Sequence, residues 1–135
     1  MKAVLADTGP LYALADPSDQ FHGRAQSDLQ SIEKQGMQVA AGYPALCEAH
    51  TLVLRRLGGA YARKWLAEML EGATLFNPEP SDYSIAADRL HRFPDQRITL
   101  VDAVTAVMAD KLGTPVWSFD RHFAAMRVKL WRQDV

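Results

Sequence analysis

The chain has 135 residues, which is the usual size of one domain. Its composition, with 48% hydrophobic and 23% charged residues, is ordinary for a globular protein. Lys and Arg number 15 against 16 Asp and Glu, a net charge of -1. This balance excludes a polybasic protein that binds nucleic acid through bulk charge alone, but not a local basic patch. The single cysteine, Cys47, excludes an internal disulfide framework and suits a reducing cytosol.

The apolar stretches are short throughout the chain. None approaches the ~18 uninterrupted apolar residues of a membrane span. The N-terminal stretch resembles a signal peptide superficially, but Asp7 interrupts it and leaves it too short and too polar for a secretory segment. We therefore expect a cytoplasmic protein with no membrane association, folded as a single domain over residues 1–135.

The first half of the chain alternates short apolar runs with helical patterns. The run that starts at Val4 ends at Asp7, and Pro10 then favours the first turn of a helix. Gly58 and Gly59 end a later helix. We predict strands over residues 4–6, 37–41 and 73–76, and helices over residues 10–15, 21–35, 43–57 and 61–70.

The second half continues this alternation. Its clearest helix spans residues 99–112, with Leu100, Val104, Val107 and Met108 on one apolar stripe, and Gly113 ends it. Another helix is predicted over residues 81–93, and strands over 116–119 and 128–131, with a turn near Phe123 between them. Short apolar strands separated by helices predict an α/β fold with a parallel sheet covered by helices.

Acidic residues stand where a parallel sheet places its functional groups, at the carboxyl ends of the strands. Asp7 follows the first predicted strand and Asp120 the fourth, while Asp102 lies in the first turn of the helix before that strand. Converging carboxylates are costly without a cation, and their oxygens suit Mg²⁺ or Mn²⁺. Each acid also has a purely structural interpretation as a cap of the helix or turn that follows, and Thr99 with Asp102 fits a capping box.

Glu48 is harder to interpret. Leu46, His50, Val53 and Leu57 form the apolar stripe of its helix, and Glu48 lies on the opposite face, near Arg55. An ordinary surface glutamate is the simpler interpretation. A functional role requires that this face line a cleft.

Several other kinds of site find no support. Gly9 stands where a phosphoaspartate phosphatase has its second acid, and no glycine-rich phosphate loop occurs. Cys47 and His50 have the spacing of two zinc ligands, but no second pair follows. We expect Cys47 to be a small buried hydrophobe and His50 a packed histidine.

Four segments, in this order, resemble the PIN-domain family of metal-dependent ribonucleases over nearly the whole chain. They are VLADTGPL from Val4, PALCEA from Pro44, LVDA from Leu100 and VWSFDRHF from Val116. The resemblance implies a three-layer α/β/α fold with a central, mostly parallel sheet of four to five strands. Size and motifs are similar to the VapC-type toxins of bacterial toxin–antitoxin pairs, and the family also contains housekeeping members.

Carried over to this sequence, the resemblance implies that Asp7, Glu48, Asp102 and Asp120 are the catalytic and Mg²⁺- or Mn²⁺-binding acids. Thr8 and Ser118 are the implied supporting hydroxyls. His122 is a departure, because many members have a further acid there, which puts a second, outer metal site in doubt. Glu48 either binds a second ion or positions the attacking water.

The implied activity is hydrolysis of RNA, with a cognate antitoxin as a possible protein partner. The alternatives are a catalytically inactive PIN-like module that binds RNA or protein, and a nuclease directed at DNA. Two basic clusters could contact phosphate, or could be solvated faces. The clusters contain Arg55, Arg56, Arg63 and Lys64, and Arg121, Arg127, Lys129 and Arg132.

We also expect a homodimer, because Trp65 and Met69 exceed what one small core needs.

Overall fold

A four-stranded parallel sheet forms the centre of the computed structural model, which describes residues 2–132. The spatial order of the strands is β3-β2-β1-β4. β1 pairs with β2 along its whole length, and with β4 through Leu5↔Val116 and Ala6↔Trp117. The predicted α/β class and parallel sheet are confirmed. The strands are β1 (Ala3–Ala6), β2 (Gln38–Gly42), β3 (Thr74–Phe76) and β4 (Val116–Trp117).

Helices pack on both faces of this sheet, which makes three layers. Successive side chains of a strand point to opposite faces. Val4 and Ala6 therefore join one core cluster, with side chains of α1 to α4, while Leu5 joins another with Met108 and Phe123. The helices are α1 (Thr8–Ala15), α2 (His22–Lys34), α3 (Tyr43–Leu57), α4 (Gly59–Gly72), α5 (Pro80–His91), α6 (Leu100–Leu112) and α7 (His122–Ala125).

The sequence prediction was wrong about the strands near the C-terminus. β4 has two residues rather than four, and the predicted strand over 128–131 is reduced to one parallel bridge, Val116↔Leu130. Arg127, at a φ of 59°, turns the chain back. A strand of two residues offers few backbone groups for pairing, so its neighbour forms a bridge rather than a ladder.

Two further expectations need correction, and both concern helix faces. Leu100 was placed on the apolar stripe of α6 but is 46% exposed, whereas the helix is buried from Asp102 to Ala109. Cys47 is exposed rather than buried, because it lies beside Glu48 on the outward side of α3. His50 packs as expected, half-buried and stacked on Trp65.

The strand order determines where a site can form. After β1 the chain builds β2 and β3 on one side of it, and then returns to add β4 on the other. The carboxyl ends of β1 and β4 therefore flank the point where the strand order reverses, the usual ligand position in open parallel sheets. The indole N–H of Trp117 donates to Asp28 of α2 over 3.0 Å and ties β4 to that helix inside the core.

No helix of residues 2–132 is long and apolar enough to cross a bilayer.

Candidate active site

An open cleft of about 580 Å³ lies beside the carboxyl ends of β1 and β4. All four acids of the sequence motifs line it, although they come from distant parts of the chain. Its walls are formed by Asp7, Thr8, Gly9, Phe21, Glu48, Thr99, Asp102, Phe119, Asp120 and Arg121. The structure thus brings the predicted acids together, along with Thr8 and Arg121.

Asp7 lies deepest, with 4% of its surface exposed. It stands at the N-cap position of α1, but its carboxylate makes no capping hydrogen bond, so the structural interpretation as a cap was wrong. Burial, and secondly the charge of Asp102, raise its pKa from 3.8 to about 7. Its Oδ1 atom is buried without a hydrogen-bond partner among residues 2–132. A buried carboxylate oxygen without a partner is unfavourable unless it is protonated or binds a cation.

Ser118 connects two of the acids. Its hydroxyl donates to Asp7 Oδ2 over 2.9 Å and accepts from the backbone N–H of Asp120, also over 2.9 Å. Because Ser118 is 4% exposed, water competes little for these bonds. The side chain therefore fixes one oxygen of Asp7 and the backbone that carries Asp120.

Asp102 has two structural roles at once. It forms the expected capping box: its N–H donates to Thr99 Oγ1 over 3.1 Å, and its Oδ2 accepts from the Thr99 N–H over 3.3 Å. It is also buried and lines the cleft. Burial raises its pKa, and the charges of Asp120 and Glu48 add to this rise against the hydrogen bonds from Thr99. The capping and functional interpretations are therefore compatible.

Asp120 lines the cleft, and His122 lies directly beside it. Asp120 Oδ1 accepts from the backbone N–H of His122 over 2.9 Å, which makes Asp120 the cap expected for this turn. The His122 Nδ1 atom lies 3.2 Å from Asp120 Oδ1 and 3.8 Å from Asp102 Oδ2. The histidine that departs from the family pattern is thus next to two of the acids.

Glu48 projects from α3 into the opposite wall of the cleft and is half-buried. This meets the condition that the sequence analysis set for a functional role. Glu48 also borders an adjacent groove between α3 and α6, which Arg55 and Tyr83 line. A cation-binding or water-positioning role for Glu48 is compatible with this place.

The donor set fits a divalent cation. Three carboxylates converge with their charges coupled, and both Asp7 Oδ1 and Thr8 Oγ1 are buried without partners among the described residues. One atom each of Asp102, Asp120 and His122 lie within 4.8 Å of one another. Hard oxygen ligands of this kind suit Mg²⁺ or Mn²⁺.

The predicted basic residues are distributed unevenly. Arg121 lines the cleft itself, and Arg55 the adjacent groove. Arg127 and Lys129 are exposed beyond α7. Arg56 lies over the Tyr12 ring, 5.0 Å from its centroid, so packing already accounts for its position.

Sequence analysis missed an aromatic pair beside the acids. Phe21 and Phe119 both line the cleft and stack with 5.0 Å between their centroids, and the Arg24 guanidinium lies 4.9 Å from the Phe119 centroid. The sequence pattern places Phe21 only at the start of the predicted helix over residues 21–35. Its approach to Phe119, which follows β4, depends on tertiary packing that no local pattern encodes.

No family model matches the chain, but similar proteins are found both by sequence and by structure. Over 127 residues it is 28% identical to ribonuclease VapC26 of Mycobacterium tuberculosis, covering 92% of each chain. The crystal structure of VapC20 from the same species, a toxin that cleaves the sarcin-ricin loop, superposes with a TM-score of 0.86 at 25% identity, covering 96% of this chain and 99% of VapC20. This chain is similar in sequence and in fold to VapC-type PIN-domain proteins.

The fold of this chain is shared more widely. VapBC2 of Rickettsia felis, bound to a DNA fragment from its promoter, matches with a TM-score of 0.75 at 12% identity, over 98% of this chain and 99% of that one. At such low identity only the fold is shared. The two chains therefore share an architecture over nearly their full lengths although most of their residues differ.

Proposed function

We propose that this PIN domain is a metal-dependent endoribonuclease that hydrolyses RNA phosphodiester bonds. The observation that carries the proposal is the convergence of Asp7, Glu48, Asp102 and Asp120 on one cleft, with a buried oxygen of Asp7 left without a partner. The ribonuclease and the RNA-cleaving toxin among its relatives support it.

In this proposal Asp7, Asp102 and Asp120 hold a Mg²⁺ or Mn²⁺ ion. When bound, the ion supplies Lewis-acid activation of water and charge neutralisation at the scissile phosphate. Asp7 must release its proton for the ion to bind, because ligating carboxylates are ionised. Ser118 then keeps Asp7 Oδ2 oriented through its hydrogen bond, and leaves Oδ1 free to face the cleft.

The remaining residues divide between water and RNA. Glu48, on the opposite wall and half-buried, retains access to solvent and accepts a hydrogen bond from the attacking water. Four carboxylates repel a polyanion, so cations must accompany them. Arg121 at the cleft, with Arg55, Arg127 and Lys129 further out, contacts the RNA phosphates.

Assembly forms a second part of the proposal. Structures of VapBC toxin–antitoxin complexes among the relatives support a protein antitoxin as partner. For the homodimer, Trp65 is not the evidence that the sequence suggested, because it is buried against His50. Exposed apolar side chains lie on α4 itself, where they are Tyr61 and Leu70, and along the groove between α3 and α6, where they are Tyr83 and Leu100. Light scattering at tens of micromolar should give twice the monomer mass.

The activity is tested on single-stranded RNA and on DNA of the same sequence, with Mn²⁺, with Mg²⁺ and with a chelator. We expect RNA cleavage that the chelator abolishes and that Asp7→Asn reduces at least about a hundredfold, the usual scale for a lost charge-stabilising group. Asp88→Asn is the matched control, because Asp88 is exposed on α5. It should cleave at the wild-type rate.

The alternatives give different results in the same assay. A DNA-directed nuclease cuts the DNA strand in preference. A binding module retains RNA in a filter assay without cutting it under any metal condition. Cleavage that survives chelator, or that Asp7→Asn leaves unchanged, would overturn the metal-dependent mechanism.

A further inference from the structure

The imidazole of His122 has no obvious structural task. Its Nδ1 atom is buried but has no hydrogen-bond partner among residues 2–132. The ring as a whole is held close to the acids, since the backbone N–H of His122 is bonded to Asp120 Oδ1 over 2.9 Å. A buried ring nitrogen without a partner is unfavourable, so its position needs an explanation.

That nitrogen faces two carboxylates at distances that suit ligands of one ion. Nδ1 lies 3.2 Å from Asp120 Oδ1 and 3.8 Å from Asp102 Oδ2. Ligands about 2.1 Å from an octahedral ion stand roughly 3 Å apart when adjacent and about 4.2 Å apart when opposite. Both distances fall between these limits.

A second observation points to a cation in the same cleft. Asp7 lines this cleft, is 4% exposed, and keeps Oδ1 without a partner among the described residues. The charges of Asp102 and Asp120 both act on it. Buried ligand atoms without a partner are therefore of two kinds, the carboxylate oxygen of Asp7 in the cleft and the imidazole nitrogen of His122 next to two of its acids.

We propose that His122 supplies a nitrogen ligand to the cation held by Asp102 and Asp120, and that this nitrogen shifts the preference of the site from Mg²⁺ toward Mn²⁺. The reason is ligand chemistry. Mg²⁺ strongly prefers oxygen ligands and keeps its waters, whereas transition-metal ions accept imidazole readily. The inference rests on the proposed metal-dependent function but assigns a residue and a selectivity that the acids alone do not provide.

An ion pair is the competing explanation, and it predicts the opposite sign. If His122 is an imidazolium that neutralises Asp102 and Asp120, an incoming cation must displace it. Removing the ring then tightens metal binding. If His122 is a ligand, removing the ring weakens binding of Mn²⁺ and affects Mg²⁺ less, because a water replaces the nitrogen.

The experiment uses the whole chain, stripped of metal and titrated calorimetrically with Mn²⁺ and with Mg²⁺. The variants are His122→Ala, His122→Asp and, as control, His91→Ala, which removes an exposed histidine of α5. We expect His122→Ala to lower the ratio of Mn²⁺ to Mg²⁺ affinity by at least about tenfold, the low end of what loss of even an outer-shell group costs. His122→Asp restores an oxygen ligand and should favour Mg²⁺ most.

Electron spin echo spectroscopy of the Mn²⁺-loaded protein provides a direct readout. Wild type and His91→Ala should show nuclear modulation from a coordinated ¹⁴N, and both His122 variants should lack it. Modulation that persists in His122→Asp, or tighter Mn²⁺ binding by His122→Ala, overturns the ligand role. If wild type binds Mn²⁺ without nitrogen modulation, only this inference fails; if it binds neither ion, the proposed function fails with it.

Discussion

Replacing Asp7 by Asn separates the cost of burying a charge from every other property of the side chain. Asn has nearly the same shape, and its carbonyl oxygen can still accept the hydrogen bond from Ser118. What disappears is the ionisable group. The perturbation therefore measures how unfavourable the Asp7 carboxylate is in the metal-free cleft.

The magnitude follows from the pKa of Asp7, which burial and Asp102 raise from 3.8 to about 7. A group whose pKa is higher in the folded than in the unfolded state stabilises the fold below the unfolded value. It loses that contribution as pH rises through the folded value. Between pH 4 and pH 8 the metal-free wild type should lose about 4 kcal/mol through Asp7, at ~1.36 kcal/mol for each pH unit.

The assay is urea denaturation with chelator present, from pH 4 to pH 8, for wild type and Asp7→Asn. As pH rises, the free energy of unfolding of the variant should increase relative to that of the wild type, by about 4 kcal/mol at pH 8. Saturating Mn²⁺ should reduce or reverse this gain, because the ion stabilises the protein that binds it. A stability difference that does not change with pH would refute the reasoning, since a carboxylate that ionises normally in the fold costs nothing extra at pH 8.

Three further predictions concern other residues. Asp102→Asn should keep the cap with Thr99, so lost capping should change the stability in chelator by no more than ~1 kcal/mol. Added Mg²⁺ should raise the Tm of this variant less than that of the wild type. Equal rises in Tm would remove Asp102 from the metal site. Asp28→Ala leaves the Trp117 indole N–H unpaired in the core and should lower the free energy of unfolding in urea by about 1–3 kcal/mol. The control Gln30→Ala, at an exposed position of the same helix, should lower it little. Similar losses for both variants would show that the hydrogen bond does not stabilise the fold. Arg121→Gln should lower the salt slope of RNA binding by about 0.7, the value for one single-strand phosphate contact, and an unchanged slope would place Arg121 away from the RNA.

Local sequence patterns predicted much of the scaffold and part of the cleft. Asp7 and Asp102 were placed near one another because parallel strands end at one edge of a sheet and α6 begins there. The capping box of Thr99 and Asp102 was predicted from spacing alone and is confirmed. These features depend on a few neighbouring residues, which a sequence displays directly.

Features that depend on tertiary packing could not be predicted in this way. The helical pattern of α3 put Glu48 on the face opposite the apolar stripe, but whether that face met solvent or a cleft depended on where α1 and α6 packed. The buried partnership of Asp28 with Trp117 joins residues 89 positions apart, and nothing in either segment indicates it. The bridge at Leu130 was mistaken for a strand because its apolar residues have the same pattern in either case.

The hydrogen bond between Ser118 and Asp7 spans 111 positions of the chain, nearly its whole length. Synthesis delivers Asp7 first and β4 last, at roughly 5–20 residues per second. During that interval the nascent chain has the first strand and its acid but lacks Ser118, Asp120 and His122, so the cleft does not yet exist. Translation is therefore almost finished before the residues that complete the cleft are present. A chain that stops before β4 contains Asp7, Glu48 and Asp102 but lacks Ser118 and Asp120.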